Sequence, residues 1–283
     1  YNIATEIIAS LAGYSGILHY KSFATDRGLT PALSNEQAKA VFWFYHFQTQ
    51  LSESIFHQAI RELEASVKAD PDSDLCWAIL AHLYANSIIY NFQTGFENPL
   101  TRAQAYLARA FALNPNSQQA QITYAWINIF LRNKNEAEKA LEMADQLNPN
   151  SSYAKAVCSL GMSFCGEYDK AQTLMLKAIP LNPLPYWWFN LPPIFMELKK
   201  RDYEKMLFHA RKIGTPAGIH ETVFEMIALY YMQDFENLGH LKNVYLKKYP
   251  EGIDHALKAW PKILFDESLL EQITFALKAI QQL

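Results

Sequence analysis

Small and large apolar residues alternate at helical spacing along the middle of this chain, and the same stripe returns every 34 residues. Ala103, Leu107 and Ala110 form one copy, Ala137, Leu141 and Ala144 the next, and Ala171, Met175 and Ala178 a third. Offsets of four and three place each trio on one face of a helix, and alanine at its ends lets a second helix approach closely. Each stripe closes on a Leu-Asn-Pro tripeptide, ending at Pro115, Pro149 and Pro183. Proline lacks the amide hydrogen and disfavours helix at the residue before it, so each tripeptide ends one helix and turns the chain into another. Every period therefore reads as a helical hairpin.

A fourth copy lies upstream, with Ala59, Leu63, Ser66 and Pro71 at the same offsets. From Pro71 to Pro115 is 44 residues, ten more than the period, and the surplus falls near the segment from Ile89 to Thr101. That segment is either a functional loop or the result of a longer first helix followed by a plain linker. Downstream the pattern decays. The stretch from Lys200 mirrors the one from Cys165, with Met206 where alanine is expected, and the stretch from Phe224 to Pro250 reads as a further hairpin. A terminal helix with Asp266 as its cap ends the array, and a helix from Ser34 supplies the first partner. Residues 1–33 differ: they read as a helix, a glycine-containing turn and a short strand, an α/β element and linker ahead of a helical domain at 34–283. The fold class is all-α beyond that element, a right-handed α-solenoid of about five to seven hairpins.

Composition narrows the function. At 283 residues and 50% hydrophobic the chain can bury a large core. Its net charge of −3, with acids and bases interspersed, gives no footprint for nucleic acid. The longest apolar runs fall short of the roughly 18 residues that span a bilayer. Cys76, Cys158 and Cys165 form no CxxC pair and read as small core residues, which favours a reducing, cytoplasmic setting. The chain opens on Tyr1, not methionine, and is expected to be a piece of something longer.

Catalytic chemistry finds little support. His57, His82 and His209 sit on predicted helices, and His220 opens a segment that lacks the second histidine of a zinc-protease helix, so a surface position is the better reading. Phosphate-cradling and nucleophile-elbow motifs are missing from the sequence. Lys199, Lys200 and Arg201 are interleaved with acids and read as a solvated helix end. No enzyme activity, metal or cofactor is expected.

Trp77, Leu80, Ala81 and Tyr84 follow Pro71 at the spacings favoured by the first helix of the tetratricopeptide repeat, and the chain resembles that family from about Ser52 to Pro183. The resemblance implies that the first helices line a concave groove. Its usual positions fall here on His82 and Asn86, then Ile122, Trp126 and Phe130, then Tyr153, Leu160 and Phe164. These are mainly apolar, where carboxylate-clamping members carry Lys, Arg and Asn, so a chaperone tail is not the expected ligand. Tyr186, Trp187, Trp188 and Phe189 stand in a row that no helix can bury on one face. They are expected either to wedge against a neighbouring element or to anchor a partner. Across most of its length the chain also resembles the C-terminal TolB-like and tetratricopeptide region of bacterial adenylate cyclases and winged-helix transcriptional regulators. That implies a regulatory or scaffolding module for a protein or peptide partner, with homodimerisation open. A small-ligand sensor with a pocket at Trp126, Phe130, Tyr153 and Trp187, and a free-standing assembly adaptor, are the alternatives.

If the stripe is the contact face, Ala137→Trp overpacks it and is expected to cost about 1–3 kcal/mol or more. A thermal melt unchanged from wild type would refute the register.

Overall fold

The structure, a computed structural model, describes residues 35–182 and 185–283. The α/β element expected at 1–33, and Pro183 of the third tripeptide, lie outside the described residues. Fourteen α-helices pair into seven hairpins among the described residues. They are α1 (Asn35–Thr49) with α2 (Glu53–Ala69), α3 (Asp74–Tyr90) with α4 (Pro99–Leu113), α5 (Gln118–Phe130) with α6 (Lys134–Leu147), and α7 (Ser152–Phe164) with α8 (Tyr168–Ala178). Then follow α9 (Leu191–Lys200) with α10 (Tyr203–Ala210), α11 (Val223–Tyr231) with α12 (Phe235–Lys248), and α13 (Gly252–Ala259) with α14 (Glu267–Gln282).

The connectors between hairpins repeat one piece of turn chemistry. Side chains of Asp70, Asn114 and Asn148 accept from the backbone N–H two residues on, at 3.2, 3.0 and 3.3 Å. Ser73, Ser117 and Ser151 then cap the next helix by accepting from Cys76, Ala120 and Ala154 at 3.4, 3.4 and 3.1 Å. In the fourth connector Pro185 stands where that serine would be. The chain makes a 3-10 turn over Trp187–Asn190 before α9 begins.

Turns inside the hairpins are equally regular. Asn91, Arg132, Gly166, Arg201 and Gln233 all take a positive φ of 55 to 81°. The next residue donates its N–H back five positions, as Asn133 does to Asn128 (2.8 Å), Glu167 to Met162 (2.9 Å) and Asp234 to Leu229 (3.0 Å). This closure satisfies carbonyls at the helix end and recurs even where the apolar stripe has decayed. The ten surplus residues are shared between helix and loop: α3 has 17 residues against 13 in α5, and the rest lie mainly in the longer turn after Tyr90.

The stripe residues are the contact face. Ala103, Ala137, Ala171 and their companions are buried, and Leu141 lies so close to α7 that a Cβ on Gly161 would come within 2.8 Å of its Cδ1. Second helices such as α6 bury one face only. First helices bury much more, and every residue of α7 is buried. That needs cover on the concave side, which the chain supplies by curling onto itself. The run from His255 to Asp266 crosses the C-terminal ends of α3, α5 and α7 as a strap. His255 Nε2 meets the Ile89 carbonyl at 2.9 Å, Arg132 donates to the Leu264 carbonyl at 2.8 Å, and the Phe265 N–H donates to the Phe164 carbonyl at 2.9 Å. Arg132 also lies over the Phe265 ring at 4.0 Å, and Asp266 accepts from Tyr168 and Lys199.

A second closure joins the first hairpin to the turn over Thr215–His220, where the Leu51 N–H donates to the Pro216 carbonyl at 2.8 Å. Gly218 sits in this turn at φ 55° and ψ −128°, and a Cβ there would stand 2.8 Å from the Leu51 carbonyl oxygen. Gly218→Ala is expected to cost about 1–3 kcal/mol from backbone strain alone. Chemical denaturation measures this, and a loss below about 0.5 kcal/mol, the usual range of surface changes, would show that the turn tolerates the side chain.

Candidate binding cavity and outer aromatic patch

The first helices meet around a central cavity of about 60 Å³. α3 contributes His82, Asn86 and Tyr90, α5 contributes Trp126, and α7 contributes Tyr153, Leu160 and Phe164. Trp187 and Trp188 enter from the 3-10 turn, His220 from the turn over Thr215–His220, and Trp260 from the strap. Six residues expected to line an open groove, together with Trp187 and Trp188 of the aromatic row, thus line a cavity covered by later parts of the chain. Ile122 is buried away from it, Phe130 packs half-buried against the core, and Tyr186 stacks on Trp188 at 5.6 Å.

The aromatic row packs against a neighbouring element, the first of the two outcomes expected of it. Tyr186, Trp188 and Phe189 are buried, Trp187 is half-buried, and Trp188 packs edge-on against Tyr153 at 5.9 Å. A 3-10 turn, with its tighter winding, directs them to different sides where one helix face could not.

His220 corrects the sequence reading: it is buried, not on the surface, and its ring lies 5.4 Å from His255 and 5.8 Å from Trp260. Burial pushes His82 down to about 4, and burial together with the nearby His255 pushes His220 down to about 3. Both rings are neutral near pH 7. The Asn86 amide nitrogen lies 2.8 Å from His82 Nε2. An amide N–H can only donate, so Nε2 accepts and the ring hydrogen sits on Nδ1. That Nδ1, both nitrogens of His220 and the indole nitrogens of Trp126, Trp187, Trp188 and Trp260 are buried with no hydrogen-bond partner among the described residues.

Cys158 and Cys165 are buried and free, and burial pushes Cys165 up to about 12, so neither is a ready nucleophile. Lys199 and Lys200 pair with Asp266 and Glu197 at 2.8 and 3.2 Å, as a solvated helix end should. Among the described residues no helix is long and apolar enough to cross a membrane.

Residues 99–160 match the tetratricopeptide repeat family. The match spans α4 to most of α7, where the stripe is most regular. The described fold is similar to PilW, a widely conserved type IV pilus biogenesis factor, with 14% identity over 80% of this chain and 100% of that one and a TM-score of 0.53. Pseudomonas aeruginosa pilF is similar with a TM-score of 0.49 and 15% identity over 79% of this chain and 97% of that one. Yeast Tom70 is similar with a TM-score of 0.43 and 17% identity over 98% of this chain and 70% of that one. A comparison with curated proteins gave no match. The PilW likeness supports the tetratricopeptide-type hairpin array. The resemblance to cyclases and winged-helix regulators rests on the sequence alone.

Sequence reasoning missed a second feature, on the outside. Phe235 and Phe275 are 49% and 63% exposed, and both flank Tyr230 at 6.3 and 6.2 Å. Beneath them Tyr231 stacks on Tyr203 at 4.7 Å and donates to the Gln272 carbonyl at 2.7 Å, which fixes α11 against α14. The patch joins residues about 40 apart in sequence, so no local pattern could reveal it.

The buried histidines set a pH dependence. Their folded pKa values lie below the unfolded value near 6.5, so between pH 6.5 and 3 the unfolded chain binds more protons and stability rises with pH. Stability from these groups is flat above pH 7 and falls by about 2 kcal/mol per histidine by pH 5. His220→Phe is expected to flatten the decline by about half. Denaturation curves at pH 5 and 7.5 test this, and an unchanged difference in the variant would exclude His220 as a source.

Proposed function

We propose that the chain is a protein-binding helical-repeat module, the regulatory or scaffolding part of a cytoplasmic bacterial signalling protein whose catalysis or DNA binding resides in an upstream part. The observation that carries the binding role is the Tyr230, Phe235 and Phe275 patch. Exposed aromatics on a rigid support lose little entropy on docking and supply much of the energy of protein interfaces. A peptide clamp of the usual tetratricopeptide kind is disfavoured, because the groove residues His82, Asn86, Trp126, Tyr153, Leu160 and Phe164 are buried within the chain. The buried free cysteines support a reducing compartment. The sequence resemblance supports the signalling context, and the interspersed surface charge supports a protein partner over nucleic acid.

The double variant Phe235→Ser, Phe275→Ser is expected to keep the wild-type melting temperature within a few degrees and to lose the proteins captured by the wild-type chain. Comparative affinity capture from cells expressing each form tests this, with sedimentation velocity to register self-association through the same patch. Identical captured sets and identical sedimentation for the two forms would sink the docking role of the patch.

A further inference from the structure

The central cavity has features that a mere packing defect lacks. Among the described residues, seven buried side-chain polar atoms without a hydrogen-bond partner belong to residues lining this one cavity. Buried polar groups are normally paired, and each one left unpaired costs free energy. His82, His220, Trp126, Trp188 and Trp260 are all more than nine-tenths buried, so bulk solvent does not satisfy them.

The unpaired groups are strongly biased. Four are indole N–H groups, which only donate, and His82 Nδ1 carries a hydrogen for the reason given above. A neutral His220 adds one donor and one acceptor. Beside the amides of Gln48 and Asn86 and the hydroxyls of Tyr90 and Tyr153, the unpaired buried groups of the wall therefore offer six donors and a single acceptor, and the molecule that complements them presents an acceptor and no donor. It is also uncharged: among the described residues no Lys, Arg, Asp or Glu lines the cavity, and an unpaired ion would meet a severe desolvation cost there. Ile89, Val157, Leu160 and Leu191 complete the wall and call for an apolar body. A cavity of this size is several times the minimum that holds one water and suits a compact molecule of about five or six non-hydrogen atoms.

We infer that the cavity is a binding site for a small, uncharged, carbonyl-type oxygen compound with an apolar body, whose oxygen uses its two lone pairs to accept from the indole N–H of Trp260 and from one of those of Trp126, Trp187 and Trp188. Trp260 belongs to the strap and Trp187 and Trp188 to the turn after α8, so one bound molecule ties the strap to the first helices. The inference stands apart from the docking patch, and neither depends on the other.

The test uses the whole 283-residue chain and follows the indole N–H signals of its six tryptophans by ¹⁵N–¹H NMR. Cyclopentanone is the ketone ligand, cyclopentane the matched molecule without an acceptor, and tetramethylammonium the cation. Cyclopentanone at millimolar concentration is expected to move the signals of Trp126, Trp187, Trp188 and Trp260 and to leave Trp77, whose indole already donates to the Pro71 carbonyl at 2.9 Å, in place. Trp260→Phe keeps a ring and removes one donor, and it is expected to weaken ketone binding about threefold to tenfold without affecting cyclopentane. If Trp260→Phe does not fold, the half-buried Trp187→Phe carries the same comparison. Four outcomes would each overturn the assignment: no response to the ketone, an equal response from all six indoles, cyclopentane binding as tightly as the ketone, or tetramethylammonium binding more tightly. The third would mean a dry apolar void, and the last an aromatic cage for cations.

Discussion

A helix that is apolar all round has to be covered all round, and this constraint shapes the whole array. α7 buries every one of its residues, and α3 and α5 bury most of theirs. A linear stack of hairpins covers such helices on three sides and leaves the concave side bare. The chain removes that exposure by curvature, so that first helices of different hairpins face one another across a small cavity. The strap and the Trp187–Asn190 turn cover what curvature leaves. The Leu141–Gly161 contact shows how tightly the neighbouring layer is held, since even a methyl group at Gly161 would crowd the leucine.

The regular part of the fold was legible because it rests on short-range rules. The alanine and leucine stripe has helical spacing, and every proline at the end of a tripeptide breaks a helix. Four second helices and the first helices between them follow from those facts. The later hairpins were harder to see because Arg201 and Gln233 take the left-handed turn position that glycine would have advertised. α13 was missed altogether, as it is short and carries no tripeptide. Missing it also hid the strap, and without the strap the groove looked open.

Site residues were legible as a set but not in their setting. Tetratricopeptide register picked out six of the cavity-lining residues, because register fixes which side of a first helix each one occupies, and the aromatic row added Trp187 and Trp188. Register could not supply His220 or Trp260, which arrive from a turn and from the strap far away in sequence, whereas Tyr90 lies one helical turn past Asn86 on the same helix. Burial turned His220 from an expected surface group into a neutral interior one. The outer patch has the same origin: Phe235 and Phe275 are ordinary positions on separate helices until α11 and α14 bring them to one tyrosine.

The strap also changes how the array must fold. Repeat arrays are stitched together by neighbours, so their units can form and melt piecemeal along one dimension. Here the bond from His255 to the Ile89 carbonyl spans 166 residues, and that between Arg132 and the Leu264 carbonyl spans 132. Bringing together ends so distant carries a loop-closure entropy that grows only slowly with length, but that entropy must be surrendered before these contacts return anything. Closure is therefore a late step that joins early and late hairpins into a single cooperative unit. A chain emerging from the ribosome can form its local hairpins in order, yet it has to wait for the strap, residues 255–266, before the concave side is sealed.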